Sequence, residues 1–191
     1  DRPGFVVNRF FVPWLNEACH LVDEGVASIA QIDAVAEKAF NIGMGPFALM
    51  NLTGPAIALH ATNYLSEQLN CPRYSGAKSL RETIENSGMW EIGQDTECDE
   101  ETAKIIRERL LGQVFAVSAQ IVEEEICSIE DVDRGAKVGL RWAEGPFEIA
   151  NKTFPFGRIP IPLRMFKFLD PFMNFECFFP STTNIGPDWV A

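Results

Sequence analysis

Asn8, His20 and His60 are the side chains whose type and setting could do chemistry. Asn8 stands where an extended opening segment, Arg2-Pro3-Gly4-Phe5-Val6-Val7, runs into a helix. Two readings of it are open. As an N-cap, its oxygen takes up an orphan backbone N–H, a role in which Asn is among the best residues. As a binding residue, its amide meets a ligand oxygen at the helix mouth. His20 could act as a base, but Glu17 and Glu24 flank it at i−3 and i+4, so a helix-face ion pair is expected. His60 follows Ala56-Ile57-Ala58-Leu59 and is expected near a core face in a structural role. The run Glu123-Glu124-Glu125 reads as a solvated face.

The signatures of a self-sufficient active site are missing. The sequence has no G-x-G-x-x-G after a strand, no Walker-type phosphate loop and no G-x-S-x-G elbow. Gly43-Met44-Gly45-Pro46 lacks a third glycine and is expected to be a joint between helices, because Gly-Pro recurs at Gly145-Pro146. Two histidines and five scattered cysteines without a C-x-x-C argue against zinc and against a disulfide framework, and place the chain in a reducing, cytoplasmic setting. The metal-ligand set is therefore expected to be empty. A net charge of −11 disfavours nucleic acid and anionic membranes as partners. No apolar run reaches the 18 residues of a membrane span.

The elements that would position these residues are helices. The sequence repeats itself at an offset of 100 residues without a gap. Arg9 matches Arg109, Glu24 matches Glu124, Ser28-Ile29 matches Ser128-Ile129, Asp33 matches Asp133, and Gly45-Pro46-Phe47 matches Gly145-Pro146-Phe147. Each copy reads as three helices. Phe11, Trp14, Leu15, Ala18 and Val22 follow helical spacing in the first, as do Ile106, Leu110, Val114, Val117 and Ile121 in the second. Pro13 is expected near the start of its helix, where a lost N–H does least harm, and Gly25 at its end. Ser28 with Gln31, and Ser128 with Asp131, cap the next helix. Gly-Pro opens the third, and Phe47 and Phe147 point inward from it.

Between the copies a helix is expected over 55–69, a short one over 80–85, a turn at Ser87-Gly88, and an acidic loop over 94–101 that enters a helix N-terminus. From Thr153 on, six prolines and eight phenylalanines forbid a long helix and suggest an irregular strap or a docking surface. The expected divisions are thus a first helical repeat (1–52), connecting helices and acidic loop (53–101), a second repeat (102–152) and an aromatic, proline-rich tail (153–191). The start at Asp1 suggests a piece of a longer polypeptide.

Together, Arg2-Pro3-Gly4-Phe5-Val6-Val7-Asn8-Arg9, Asn16-Glu17-Ala18, Asp23-Glu24-Gly25, Ile32-Asp33 and Gly43-Met44-Gly45-Pro46-Phe47 resemble the C-terminal domain of 3-hydroxyacyl-CoA dehydrogenases. The second copy, with Glu124, Asp133 and Glu144-Gly145-Pro146-Phe147-Glu148, is similar to the duplicated domain of fused β-oxidation proteins. The resemblance spans about residues 1–152. It implies an all-α fold of the 6-phosphogluconate dehydrogenase C-terminal-like kind. It also implies oxidation of (S)-3-hydroxyacyl-CoA to 3-ketoacyl-CoA with NAD by the whole protein. The cofactor and the catalytic His–Glu pair would belong to an N-terminal Rossmann domain that this sequence lacks, so no catalytic or cofactor-binding residue is carried over. Asn8 alone transfers, as a substrate-binding residue. The implied partners are that Rossmann domain, the acyl-CoA substrate, a second copy in a homodimer, and an enoyl-CoA hydratase domain in the same chain. The chain alone is expected to be inactive. The alternative is a non-catalytic helical interaction and dimerisation module in which Asn8 is merely a cap.

Overall fold

The computed structural model describes residues 4–71 and 74–153. Among them are eight helices and no strands: α1 (Val6–Asp23), α2 (Ile29–Phe40), α3 (Pro46–Thr53), α4 (Pro55–Leu69), α5 (Lys78–Asn86), α6 (Glu100–Glu123), α7 (Ile129–Gly139) and α8 (Pro146–Thr153). The all-α expectation holds. The aromatic tail and Cys177 lie outside the described residues.

α1 is the hub, and its most extensive contact is with α6. Both helices carry apolar residues at helical spacing, and those residues are buried: Trp14, Ala18 and Leu21 on α1, Leu110, Val114 and Ile121 on α6. The two run in opposite directions: Arg9 near the start of α1 pairs with Glu124 at the end of α6, and Arg109, earlier along α6, pairs with Glu24 at the end of α1. Trp142, just after α7, reaches into the first half of the core. Its ring centroid lies 5.0 Å from Phe40, 5.7 Å from Trp14 and 5.9 Å from Phe10, in tilted or edge-on geometries that aromatic quadrupoles favour.

The helix limits follow from local chemistry. α4 spans the expected residues, and α3 and α8 both open at Gly-Pro. Ser28 and Gln31 form the full reciprocal capping box, and Ser128 accepts from the Asp131 N–H. α1 ends in a Schellman motif. Val26 N–H bonds to Leu21 C=O and Gly25 N–H to Val22 C=O, with Gly25 at φ +69°. α6 ends the same way, except that Glu125 takes the left-handed position at φ +54°.

Three expectations need correction. Pro13 is not near the start of a helix: α1 begins at Val6, and Pro13 sits inside it, buried. His60 is exposed, because Ala58, Thr62 and Leu65 carry the core face of α4. Glu124 is not simply part of a wet face, since it is half-buried and paired with Arg9.

Candidate functional site

Asn8 lies in the first turn of α1 and is exposed. It is not the N-cap. That position belongs to Phe5, which has no side chain able to accept, and the helix begins earlier than the polar residue suggests. Asn8 therefore offers its amide outward with no capping duty. A donor–acceptor amide exposed beside the first, uncapped N–H groups of a helix is suited to an oxygen-bearing ligand.

The turn that bears Asn8 is held from below. Its neighbour Arg9 is 2% exposed, and the Arg9 Nη1 donates to Glu124 Oε2 at 3.0 Å. The other oxygen of Glu124 accepts from Gln120 Nε2 at 2.8 Å. At the far end of the α1–α6 contact the relation is reversed. Arg109 donates from Nε to Glu17 Oε1 at 2.5 Å and from both terminal nitrogens to Glu24, at 2.6 and 3.0 Å. Burial disfavours the Arg109 charge, but the two carboxylates outweigh it and hold its pKa above the usual arginine range. The position matching Glu17 is Val117, an apolar residue. Accordingly Arg9 Nε, along with Nη2, is buried without a hydrogen-bond partner among the described residues.

These pairs also correct the expectation for His20. Glu17 and Glu24 pair with Arg109, while the His20 Nε2 lies 3.1 Å from the Asn16 amide nitrogen. Asn16 is itself buried. It donates to Ser75 C=O at 3.0 Å and accepts from Ala77 N–H at 2.9 Å, tying α1 to the approach of α5. Asp23 completes that tie by accepting from Lys78 and Ser79 N–H at 2.8 and 2.9 Å, so the N-terminus of α5 is capped from another helix. Sequence reasoning gives neither residue this role. The available signal is a buried-face Asn and a helix-terminal Asp, which local rules assign to no partner.

The Gly43-Met44-Gly45 loop is a joint, and the donors where it enters α3 are taken by carboxylates of α2. Asp33 accepts from Phe47 N–H at 2.8 Å and Ala48 N–H at 2.9 Å, and Glu37 accepts from Gly45 N–H at 3.1 Å. A Cβ on Gly45 would fall within 3.0 Å of the Asp33 carboxyl. Burial pushes the Asp33 pKa up to about 6, against the pull of the Phe47 and Ala48 N–H groups. The N–H groups of Gly45, Phe47 and Ala48 are thus taken by the Asp33 and Glu37 carboxylates.

Elsewhere, a cleft of about 560 Å³ is lined by Val35, Lys38, Cys98, Glu97 and Arg107 among others, well apart from Asn8 in sequence. Burial raises the Cys98 thiol pKa, so it is held as the thiol. No three His, Cys, Asp or Glu side chains converge as a metal site among the described residues, and no helix there is long and apolar enough to cross a membrane.

Comparison with known proteins agrees with the fold and narrows the reading. Residues 4–93 match the family model described as 3-hydroxyacyl-CoA dehydrogenase, C-terminal domain. A 3-hydroxybutyryl-CoA dehydrogenase of Clostridioides difficile is 36% identical over 84 residues, covering 44% of this chain and 30% of the relative. The mitochondrial hydroxyacyl-coenzyme A dehydrogenase of Homo sapiens is 44% identical over 54 residues, covering 28% of this chain and 17% of the relative. The chain thus spans about a third or less of the curated relatives it matches. The crystal structure of 3-hydroxybutyryl-CoA dehydrogenase from Escherichia coli K12 superposes with a TM-score of 0.68 at 15% identity, over 89% of this chain and 56% of that one.

Proposed function

With residues 4–93 matching the C-terminal domain of the 3-hydroxyacyl-CoA dehydrogenase family, we propose that this chain is the substrate-side helical region of such an enzyme. In this reading the whole polypeptide oxidises (S)-3-hydroxyacyl-CoA to 3-ketoacyl-CoA in fatty-acid β-oxidation. NAD and the proton-accepting group belong to an upstream Rossmann domain. The described residues contribute Asn8, whose amide meets the substrate oxygen from the helical side. The observation that carries the reading is the match over 4–93 taken with Asn8, exposed on an uncapped first turn and free of capping duty.

The same reading takes α1–α3 and α6–α8 as tandem copies of one unit. It is supported by the bond from Phe147 N–H to Asp133 at 2.8 Å, which repeats that from Phe47 N–H to Asp33 at an offset of 100 residues. A homodimer, a cytoplasmic location and a hydratase domain further along the chain are proposed for the whole protein on the resemblance alone.

The test is turnover of (S)-3-hydroxybutyryl-CoA with NAD by the full-length polypeptide and by its Asn8→Ala variant. Activity is expected in the first, and a kcat lowered about 100-fold in the second, as when one hydrogen-bond donor to a reacting oxygen is removed. No dehydrogenase activity in the full-length polypeptide would leave the alternative, a helical interaction module.

A further inference from the structure

We propose that Glu124, acting through Arg9, is a positioning residue for Asn8, so that α6 and α7 seat the residue which α1 presents to substrate. The inference rests on the substrate-side reading of Asn8 above.

The first turn of α1 has no means of its own to hold still. Its N-cap is Phe5, no side chain caps it, and no acidic residue stands in the turn to meet the helix dipole. α6 differs: Asp99 caps it through Thr102 N–H and the Thr102 hydroxyl, and Glu100 and Glu101 follow. What α1 lacks locally is supplied by tertiary contact. Arg9 N–H bonds to Phe5 C=O at 3.1 Å and closes the turn that contains Asn8. The Arg9 stem runs beneath Gly4, where an added Cβ would meet its Cγ at 3.4 Å. Its head is clamped by Glu124, itself held by Gln120. A second contact comes from α7. Gly135 and Gly139 present bare backbone to Val7, and a Cβ on Gly135 would meet Val7 Cγ2 at 3.0 Å.

The molecule contains its own control. Arg109 and Glu24 form the reversed pair at the other end of α1, and Glu24 lies about 24 Å from Asn8 along the helix. Both ion pairs join α1 to α6, but only one sits under the turn that bears Asn8. A purely structural role would lower kcat no more at Glu124 than at Glu24; a positioning role separates them.

The experiment uses the full-length polypeptide with (S)-3-hydroxybutyryl-CoA and NAD, measuring kcat, KM and thermal midpoint for Glu124→Gln, Glu24→Gln, Asn8→Ala and the Glu124→Gln/Asn8→Ala double variant. Glu124→Gln is expected to lower kcat about tenfold with KM within about twofold, in line with a small displacement of an oriented group. Glu24→Gln is expected to lower the thermal midpoint but leave kcat within about twofold. In the Asn8→Ala background Glu124→Gln is expected to lower kcat no further. Equal kcat losses in Glu124→Gln and Glu24→Gln, or an additive loss in the double variant, would overturn the proposal. So would a normal kcat in Glu124→Gln while Asn8→Ala is impaired, and that outcome leaves the substrate-side reading intact. A normal kcat in Asn8→Ala would overturn both. Should Glu124→Gln fail to fold, Gln120→Ala loosens the same clamp with the ion pair left in place. It is expected to lower kcat a few-fold, and an unchanged kcat there overturns the proposal.

Discussion

The Asp33 carboxylate accepts the backbone N–H of Phe47 at 2.8 Å, directly beneath a glycine whose missing side chain makes room for it. Asp133 stands in the same relation to Phe147, also at 2.8 Å, beneath Gly145. An acid early in one helix thus caps the start of the helix that follows it, and glycine is required by close approach rather than by backbone angle. Gly45→Ala and Gly145→Ala are therefore expected to cost about 1–3 kcal/mol each, the range for forcing extra volume into a packed site. Gly43→Ala, with nothing within 4 Å of the added Cβ, should stay within about 0.5 kcal/mol. Urea denaturation of the three variants checks this.

The pH dependence of stability carries a signature of Asp33. Its folded-state pKa of about 6 lies above the ordinary aspartate value near 3.9. The folded protein therefore holds that proton more tightly than the unfolded chain does. The resulting stability is fully present below about pH 4 and is lost as pH rises through 6. Asn cannot titrate, so Asp33→Asn loses this slope. The stability of the variant relative to the parent should rise by on the order of 2–3 kcal/mol between pH 4 and pH 7. Parallel denaturation curves at the two pH values measure it, and a difference independent of pH would contradict the assignment.

The two interhelical arginines are not equivalent. Arg109 meets both Glu17, which is buried, and Glu24, whereas Arg9 pairs with Glu124 and keeps two nitrogens without acceptors among the described residues. Removing one partner of a buried ion pair costs about 3–5 kcal/mol because the other charge is stranded. Loss of Arg109 strands the buried Glu17, whereas loss of Arg9 strands Glu124, which is only half-buried and still held by Gln120. Arg109→Met is thus expected to destabilise by about 3 kcal/mol or more, and Arg9→Met by clearly less. Thermal unfolding of both variants decides the order.

Asn8→Ala separates structure from chemistry. Asn8 is exposed and does not cap α1, so its loss should change stability by no more than about 0.5 kcal/mol. Under the proposed function, kcat in the full-length polypeptide should fall about 100-fold. Asn8→Asp loses the amide donor and sets a carboxylate, an acceptor only, against the substrate oxygen, so its kcat is expected to fall at least as far as that of Asn8→Ala. Steady-state kinetics alongside thermal melts show whether the two properties part.

Much of the framework is legible along the chain because helix limits are written in local chemistry. Gly45-Pro46 and Gly145-Pro146 start helices since proline at the first position loses no needed donor, and Ser28 caps α2 within three residues of itself. Gly25 ends α1 because only a left-handed residue closes the Schellman motif. The core positions Trp14, Leu110 and Ile121 follow from the 3.6-residue period. Local rules fail where the partner is remote. The sequence leaves Asn8 open between a cap and a binding residue, because a polar residue near a helix start suits both, but α1 begins two residues earlier, at Val6, with Val7 and Phe10 packed against the core, and the cap reading falls. Spacing on one helix matches His20 to Glu17 and Glu24, yet both carboxylates turn to Arg109, 85 or more residues away. Spacing along a chain reports which groups share a face; it carries no information about which charge on another helix will be brought against that face. That choice arises when α1 and α6 pack in opposite directions and bury their ends together. The packing of α1 against α5, of α2 against α3 and of α1 against α6 likewise sets Asp23 over α5, Asp33 under Gly45, and Glu124 under the turn that bears Asn8.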